Sequence, residues 1–475
     1  MQAVSSAART PTRRVAQTRY RLLLLGAAGV VLTLITLVQA VHAYNTSYEL
    51  FRGIVEVNST TVDASERALQ DIAQASQAAA DYAVLSSATP LFEQAQTDIF
   101  RNFSNFRDEM FTLRNNLQSA EENTAFTVAD TFAYSRFWRH VTDLVAQRSI
   151  DAIAQQQYLE ADNHMRNWIN PALQDLENLN FQRMVQAGNQ AGSIIATQVI
   201  LLAIPALLLA LLLTYLSFRL RQQVHRYLTP GIDIAVVLSW VLLLIMLINL
   251  LNAPNQINIM IQDSYRNVSA SSRTLVDAND ANRAESSELL DITRTDAWNT
   301  LFDQAVQRIA LRMCGQPDCL KTSFVTSGST DQPSDQVVYA ANDITPTNST
   351  QINGIIPLMA NVTVSGEATA LEQARLALLD FQTADASLRT LITTNKMPDA
   401  ITLNTSTDAG TSQEAFNRFV SAIDQVRDMN RAVFDQVWQS ESQTLQTNRV
   451  LFGLIGYAAI ALLVIVGVYQ RYREL

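Results

Sequence analysis

Several chemistries are missing from this 475-residue sequence. It has four histidines, His42, His140, His164 and His225, and no two stand at a metal-ligand spacing. The two cysteines form one close pair, Cys314 and Cys319, with no histidine nearby, which excludes the common zinc ligand sets. No Ser/His/Asp set, phosphate-binding glycine loop or zinc-protease motif stands out. These absences argue against an enzyme and against a bound cofactor. Lysine is nearly absent too: Lys321 and Lys396 are the only two, and the bias toward arginine points to a GC-rich bacterial genome.

Charge is also nearly missing from four stretches, 22–43, 194–218, 231–251 and 450–470. Each is close to the ~20 residues an α-helix needs to cross about 30 Å of hydrocarbon. Lipid offers the backbone no hydrogen-bond partners, so each is expected to be a membrane helix. None carries a charge at its centre; Asp233 lies at one end of the third. Ion and proton paths use intramembrane charge or broken helices, so a transporter is disfavoured. Gly26, Gly29, Thr33, Thr36 and Ala40 share one seam of the first span, and Gly453, Gly456 and Ala459 share one in the fourth. Small residues at this spacing let helices approach closely in lipid. Pro205 is expected to kink the second span.

Basic residues flank these spans on one side. Arg9, Arg13, Arg14, Arg19 and Arg21 precede the first, Arg219, Arg221 and Arg226 lie between the second and third, and Arg471 and Arg473 follow the last. The positive-inside rule places 1–21, 219–230 and 471–475 in the cytoplasm of a multi-pass plasma-membrane protein. The long segments 44–193 and 252–448 are acidic, with 19 Asp and Glu against 10 Arg in the first and 23 against 13 Arg and Lys in the second. Both are expected outside, and their sign argues against nucleic acid as a partner. The net charge of −10 averages two oppositely charged sides. The small residues at 40–43 fit a signal-peptide cleavage site, but the apolar stretch is long for a signal core and the helix pattern continues past it.

The fold class expected is therefore an all-α membrane protein, with four transmembrane helices and two extracytoplasmic antiparallel four-helix bundles. In the first bundle, apolar residues at 3–4 spacing mark helices from Tyr48 to Ala79, Leu91 to Leu117, and Phe126 to Leu144, with a last helix from about Ile150. Asn170-Pro171 reads as a kink within that last helix, because only a start near 150 matches the ~65 Å rise of the first. The second bundle repeats the plan, with helices at 255–290, 293–313, 367–395 and from Ser412. It carries an insertion at 314–366, read as loop with a short hairpin pairing Val337–Tyr339 with Val362–Val364. Residues 51–66 and 265–280 align without gaps. Arg52, Thr60, Val62, Asp63 and Ala64 match Arg266, Thr274, Val276, Asp277 and Ala278, which points to an internal duplication.

Outside the cytoplasm, Cys314 and Cys319 are expected to form a disulfide pinning a helix end to the insertion. Arg136, Trp138 and Arg139 suit carboxylates and cations, though such a cluster more often forms an aromatic face with solvated arginines.

A membrane helix that enters an outer bundle of about 150 residues and returns through a second membrane helix resembles the ligand-binding half of methyl-accepting chemotaxis receptors. The resemblance covers 20–218 and more loosely 232–473, and rests on architecture. It implies a small-molecule ligand bound partly by arginines of the first bundle helix, where Arg67 stands. Those receptors continue into a cytoplasmic signalling hairpin that this sequence lacks. They act as dimers with two outer bundles, so a chain with both halves is expected to form a covalent pseudo-dimer. It would signal through a membrane or cytoplasmic protein partner, in contact with the lipid bilayer. The alternative expectation is a structural, adhesive or accessory subunit of a membrane complex, with the insertion as its contact surface.

Overall fold

The computed structural model describes residues 11–85, 90–147, 152–224, 230–315 and 357–474. In chain order the helices are α1 (Pro11–Gly53), α2 (Thr60–Val84), α3 (Pro90–Asn116), α4 (Ala120–Phe132), α5 (Trp138–Gln147), α6 (Ala152–His164) and α7 (Asn170–Val224). The second half follows with α8 (Pro230–Asn258), α9 (Arg266–Leu290), α10 (Thr295–Cys314), α11 (Glu367–Thr393), α12 (Met397–Thr405), α13 (Ser412–Asn448) and α14 (Tyr457–Glu474). No strand occurs among the described residues. Val362 and Thr363 are irregular and Val364 lies in a bend; the other half of the expected hairpin lies outside the described residues.

Four helical stretches are long and apolar enough to cross a membrane, within Tyr20–Val84, Ile153–Gln222, Pro230–Leu290 and Ser412–Arg473. Each contains one π turn: Ile54–Ser59, Met165–Ile169, Ile259–Tyr265 and Arg449–Gly456. The second of these explains Asn170-Pro171. Pro171 has no N–H and its ring crowds the carbonyl four residues back, so the turn before it widens instead of ending the helix.

The chain folds into two compact units. One comprises residues 1–54, 186–258 and 437–475 and holds the apolar runs. Its helices meet through small residues. A Cβ on Gly26 would lie 2.8 Å from Val468, one on Gly467 2.6 Å from Ile232, and one on Gly456 2.7 Å from Leu242. Thr33 and Thr36 of the first seam are buried, and each hydroxyl donates to the carbonyl four residues back. Asp233 accepts from Ser217 Oγ at 2.5 Å and Arg221 Nη2 at 3.1 Å.

The other unit comprises residues 55–185 and 259–436, so both expected bundles contribute to a single body. In the first half α2, α3, α4–α5 and α6–α7 enclose Leu69, Ile72, Ile99, Phe106, Phe137 and Leu173. In the second half α9, α10, α11 and α13 enclose Leu275, Phe302, Ile309, Leu378, Phe381 and Phe419. The first core also takes in Val276, Leu289 and Leu290 of α9, which joins the halves. Ser119 caps α4: its Oγ accepts from Glu122 N at 3.1 Å, and Glu122 Oε2 accepts from Gln118 N at 2.8 Å. Gly315 ends α10 with φ +78°, a conformation that suits glycine.

Helix α12 was not legible in the spacing. Its first turn holds Pro398, and its Asn404 is buried against α9, donating to Glu285 Oε2 and accepting from Ser286 Oγ. Helix α9 is central: all but Arg266, Arg273 and Asp280 of its residues are buried.

Candidate functional site

Where the halves meet, α2 and α9 lie side by side and run in the same direction. The pairs Glu66–Ser272, Ser76–Arg283 and Gln77–Ser286 advance together along both helices. The three pairs are 206, 207 and 209 residues apart in sequence, whereas the matching stretches are 214 apart. The helices are thus slid by five to eight residues from a strict two-fold arrangement, about 8–12 Å at 1.5 Å per residue. The seam is polar. Arg283 Nε pairs with Asp162 Oδ1 at 3.1 Å and its Nη2 with Asp280 at 2.7 Å, while Arg273 Nε pairs with Glu177 at 2.7 Å. A cavity of about 30 Å³ beside Arg283, room for a water, is lined by Asp162, Arg166 and Trp298.

A larger cleft, about 390 Å³, opens along the same seam between α2, α9 and α13. Helix α2 supplies Asp63, Glu66, Arg67, Gln70 and Asp71, one face at 3–4 spacing. Helix α9 supplies Val268 and Ser272, and α13 supplies Arg427, Asp428 and Arg431. Asp63 accepts from Arg431 Nη1 at 2.6 Å and from the Tyr265 hydroxyl. Arg427 reaches Asp424 at 2.9 Å and Gln70 at 3.2 Å.

Two carboxyls here hold protons unusually well. Burial, reinforced by the charges of Glu177 and Asp63, pushes Glu66 up to about 8. Burial, reinforced by Glu109, pushes Asp71 up to about 7 against the opposing pull of Arg67. Tyr265 is pushed far above the usual phenol range by burial and by Asp63.

Of the candidates read from sequence, Arg67 lines this cleft; its Nε lies 3.5 Å from Glu109. Arg136, Trp138 and Arg139 lie elsewhere, around the start of α5. Trp138 stacks on Phe103 with centroids 4.0 Å apart and meets the edge of Phe100, while Arg136 and Arg139 are exposed. Cys314 is buried at the end of α10, and Cys319 lies outside the described residues. Glu66, Asp71, Arg427 and Arg431 were not singled out from sequence. The signal on α2 was a polar stripe at helical spacing, which reads as a solvated face until a third helix is set against it.

No protein-family model matches the chain, and no curated protein or solved structure matches it either.

Proposed function

We propose that the chain is an integral membrane protein of sensor type, a single-chain pseudo-dimer whose joined helical halves lie outside the cytoplasm. Its basic segments 1–21, 219–230 and 471–475 lie inside, and its output passes through a membrane or cytoplasmic partner. The observation that carries this reading is the parallel pairing of α2 with α9, two helices that share matching sequence, residues 60–66 at the start of α2 and 274–280 within α9. The cleft on that seam has walls from both halves, so a ligand in it would contact both and favour one arrangement of them. A Cys314–Cys319 disulfide would tie the end of α10 to the insertion.

Paired substitutions Gln77→Cys and Ser286→Cys test the pairing in native membranes. Mild oxidation should give an intramolecular bond in most of the protein, with no dimer on non-reducing gels. Only intermolecular bonds, or none, would reject the pseudo-dimer. Thermal unfolding against amino acids, organic acids and amines tests the sensor, because a ligand that binds only the folded state raises the melting temperature. No shift, with loss of a partner on deletion of residues 316–356, would instead favour an accessory or adhesive subunit.

A further inference from the structure

Taking the cleft as the ligand site of the reading above, its charges narrow what it can hold. Each arginine in it already has a carboxylate. Arg67 has Glu109 at 3.5 Å, Arg427 has Asp424 at 2.9 Å, and Arg431 has Asp63 at 2.6 Å. Glu66 and Asp71 have no ion-pair partner within 4.0 Å among the described residues. Glu66 is the deeper of the two, at 5% exposure. Its Oε2 accepts from Ser272 Oγ at 3.0 Å, but its Oε1 has no hydrogen-bond partner among the described residues.

Of the groups facing Glu66, Ser272 and Ser269 are the hydroxyls near enough to ease its burial, and Ser269 gives its hydrogen to Glu177. Asp63 lies on its own helix and Glu177 on α7; both are acids. On α9, Ser272 serves Oε2, Ser269 donates to Glu177 at 3.0 Å, and Arg273 is committed to Glu177. On α13, Arg431 is committed to Asp63. A buried carboxyl oxygen without a hydrogen-bond partner, on a residue that lines an open cleft, is a place for a ligand donor once the carboxyl gives up its proton.

A metal ion fits poorly, because no group of three or more His, Cys, Asp or Glu among the described residues is placed to hold one. An anion would meet arginines already neutralised and a surplus of acids. An alkylammonium carries three N–H donors and a positive charge, and needs no closed shell of ligands.

We infer that the cleft binds a small organic ammonium ion whose N–H groups bond Glu66 Oε1, and that a short diamine places its second nitrogen against Asp428 at the mouth. Asp428 is 73% exposed, so the two ends of such a ligand would sit at different depths. Glu66 is protonated near neutral pH, so binding exchanges its proton for the ammonium ion, and the proton passes to the buffer.

The test is calorimetry on the full chain in lipid nanodiscs near pH 7, with 1,4-diaminobutane as probe and succinate as its dianionic counterpart of equal length. Two sulfonate buffers of different ionisation enthalpy report proton release. The diamine should bind with release of about one proton. Glu66→Gln should weaken it on the order of tenfold and abolish the buffer dependence, through loss of a charge-assisted hydrogen bond. Asp428→Asn should weaken it only a few-fold and keep the proton release. Binding of the diamine without proton release, or binding indifferent to both substitutions, overturns the assignment. Binding of succinate alone overturns the ammonium and leaves the cleft a ligand site. Binding of neither probe, with no thermal shift in the wider panel, removes both.

Discussion

Helices α2 and α9 share matching sequence at residues 60–66 and 274–280, and beyond it they reach burial by different means. Helix α2 buries alanines, Leu69 and Ile72 in an apolar core. Helix α9 buries Ser, Asn, Asp, Glu and Arg along almost its whole length. Carrying the match on without gaps, Leu69 stands opposite Arg283. Leu69 is 1% exposed and Arg283 3%, so the positions are equally dry. At the first, apolar area removed from water holds the side chain. At the second, Asp162 and Asp280 must offset the cost of burying a guanidinium. A polar helix can therefore be the centre of a fold where neighbours answer a charge, as at Arg283, or where burial holds the proton on an acid, as at Glu285.

The sharpest way to break this comparison is Arg283→Ala. It strands Asp162 in the interior with Arg166 alone, at 2.5 Å, and should cost about 3–5 kcal/mol in denaturant unfolding. Leu69→Ala should cost about 2–5 kcal/mol by leaving a cavity. The two separate on a second change. Asp162→Leu with Arg283→Met should recover much of the Arg283→Ala loss, since replacing a whole buried pair by apolar groups is often neutral. If Arg283→Ala costs under about 1 kcal/mol, pairing is not what holds α9.

On the apolar side, Trp138→Ala should cost up to about 3 kcal/mol through its lost stack on Phe103. The pH dependence of the polar side is smaller. Glu66 and Asp71 have folded values raised above those of the unfolded chain, so the stability they contribute is full below the usual carboxylate range. It is lost as pH rises through about 7 for Asp71 and about 8 for Glu66. The melting temperature should fall between roughly pH 5 and 9. Glu66→Gln should flatten that fall and stabilise the protein at pH 8 by on the order of 1 kcal/mol. A slope unchanged by Glu66→Gln would show that this carboxyl does not titrate in the window. Arg136→Ala and Arg139→Ala, at exposed positions, should stay within about 0.5 kcal/mol. A larger loss in either would give these arginines a structural role that their exposure does not suggest.

Much of this architecture was legible because it rests on local pattern. Uncharged runs of membrane length and 3–4 spacing do not depend on which helices become neighbours. Expected helices at 91–117 and 367–395 meet observed bounds of Pro90–Asn116 and Glu367–Thr393. What the pattern could not give depends on neighbours. The composition of α9 reads as a solvated face, and partners distant in sequence, among them Asp162, Glu177, Asn404 and Ser412, make its burial tolerable. The cleft failed to show for the same reason, since its walls come from three helices around residues 63–71, 268–272 and 427–431. Arg67, which lines the cleft, was named from its height on α2 alone. The shortness of α12, nine residues, left too little periodicity to see.

The π turns give the faintness of the internal match an angular reading. Each adds one residue to a turn, so every side chain after it is rotated by about 100° from where an unbroken α-helix would carry it. In the second rod the π turn ends at Tyr265, the counterpart of Phe51; in the first it runs from Ile54 to Ser59. Between those points one rod has taken its extra residue and the other has not, so residues of equal rank face different neighbours. From Thr60 and Thr274 onward both rods have completed the step and are back in phase. Four of the five identities, at Thr60, Val62, Asp63 and Ala64, fall in that stretch. The two copies agree where equal rank again means equal direction.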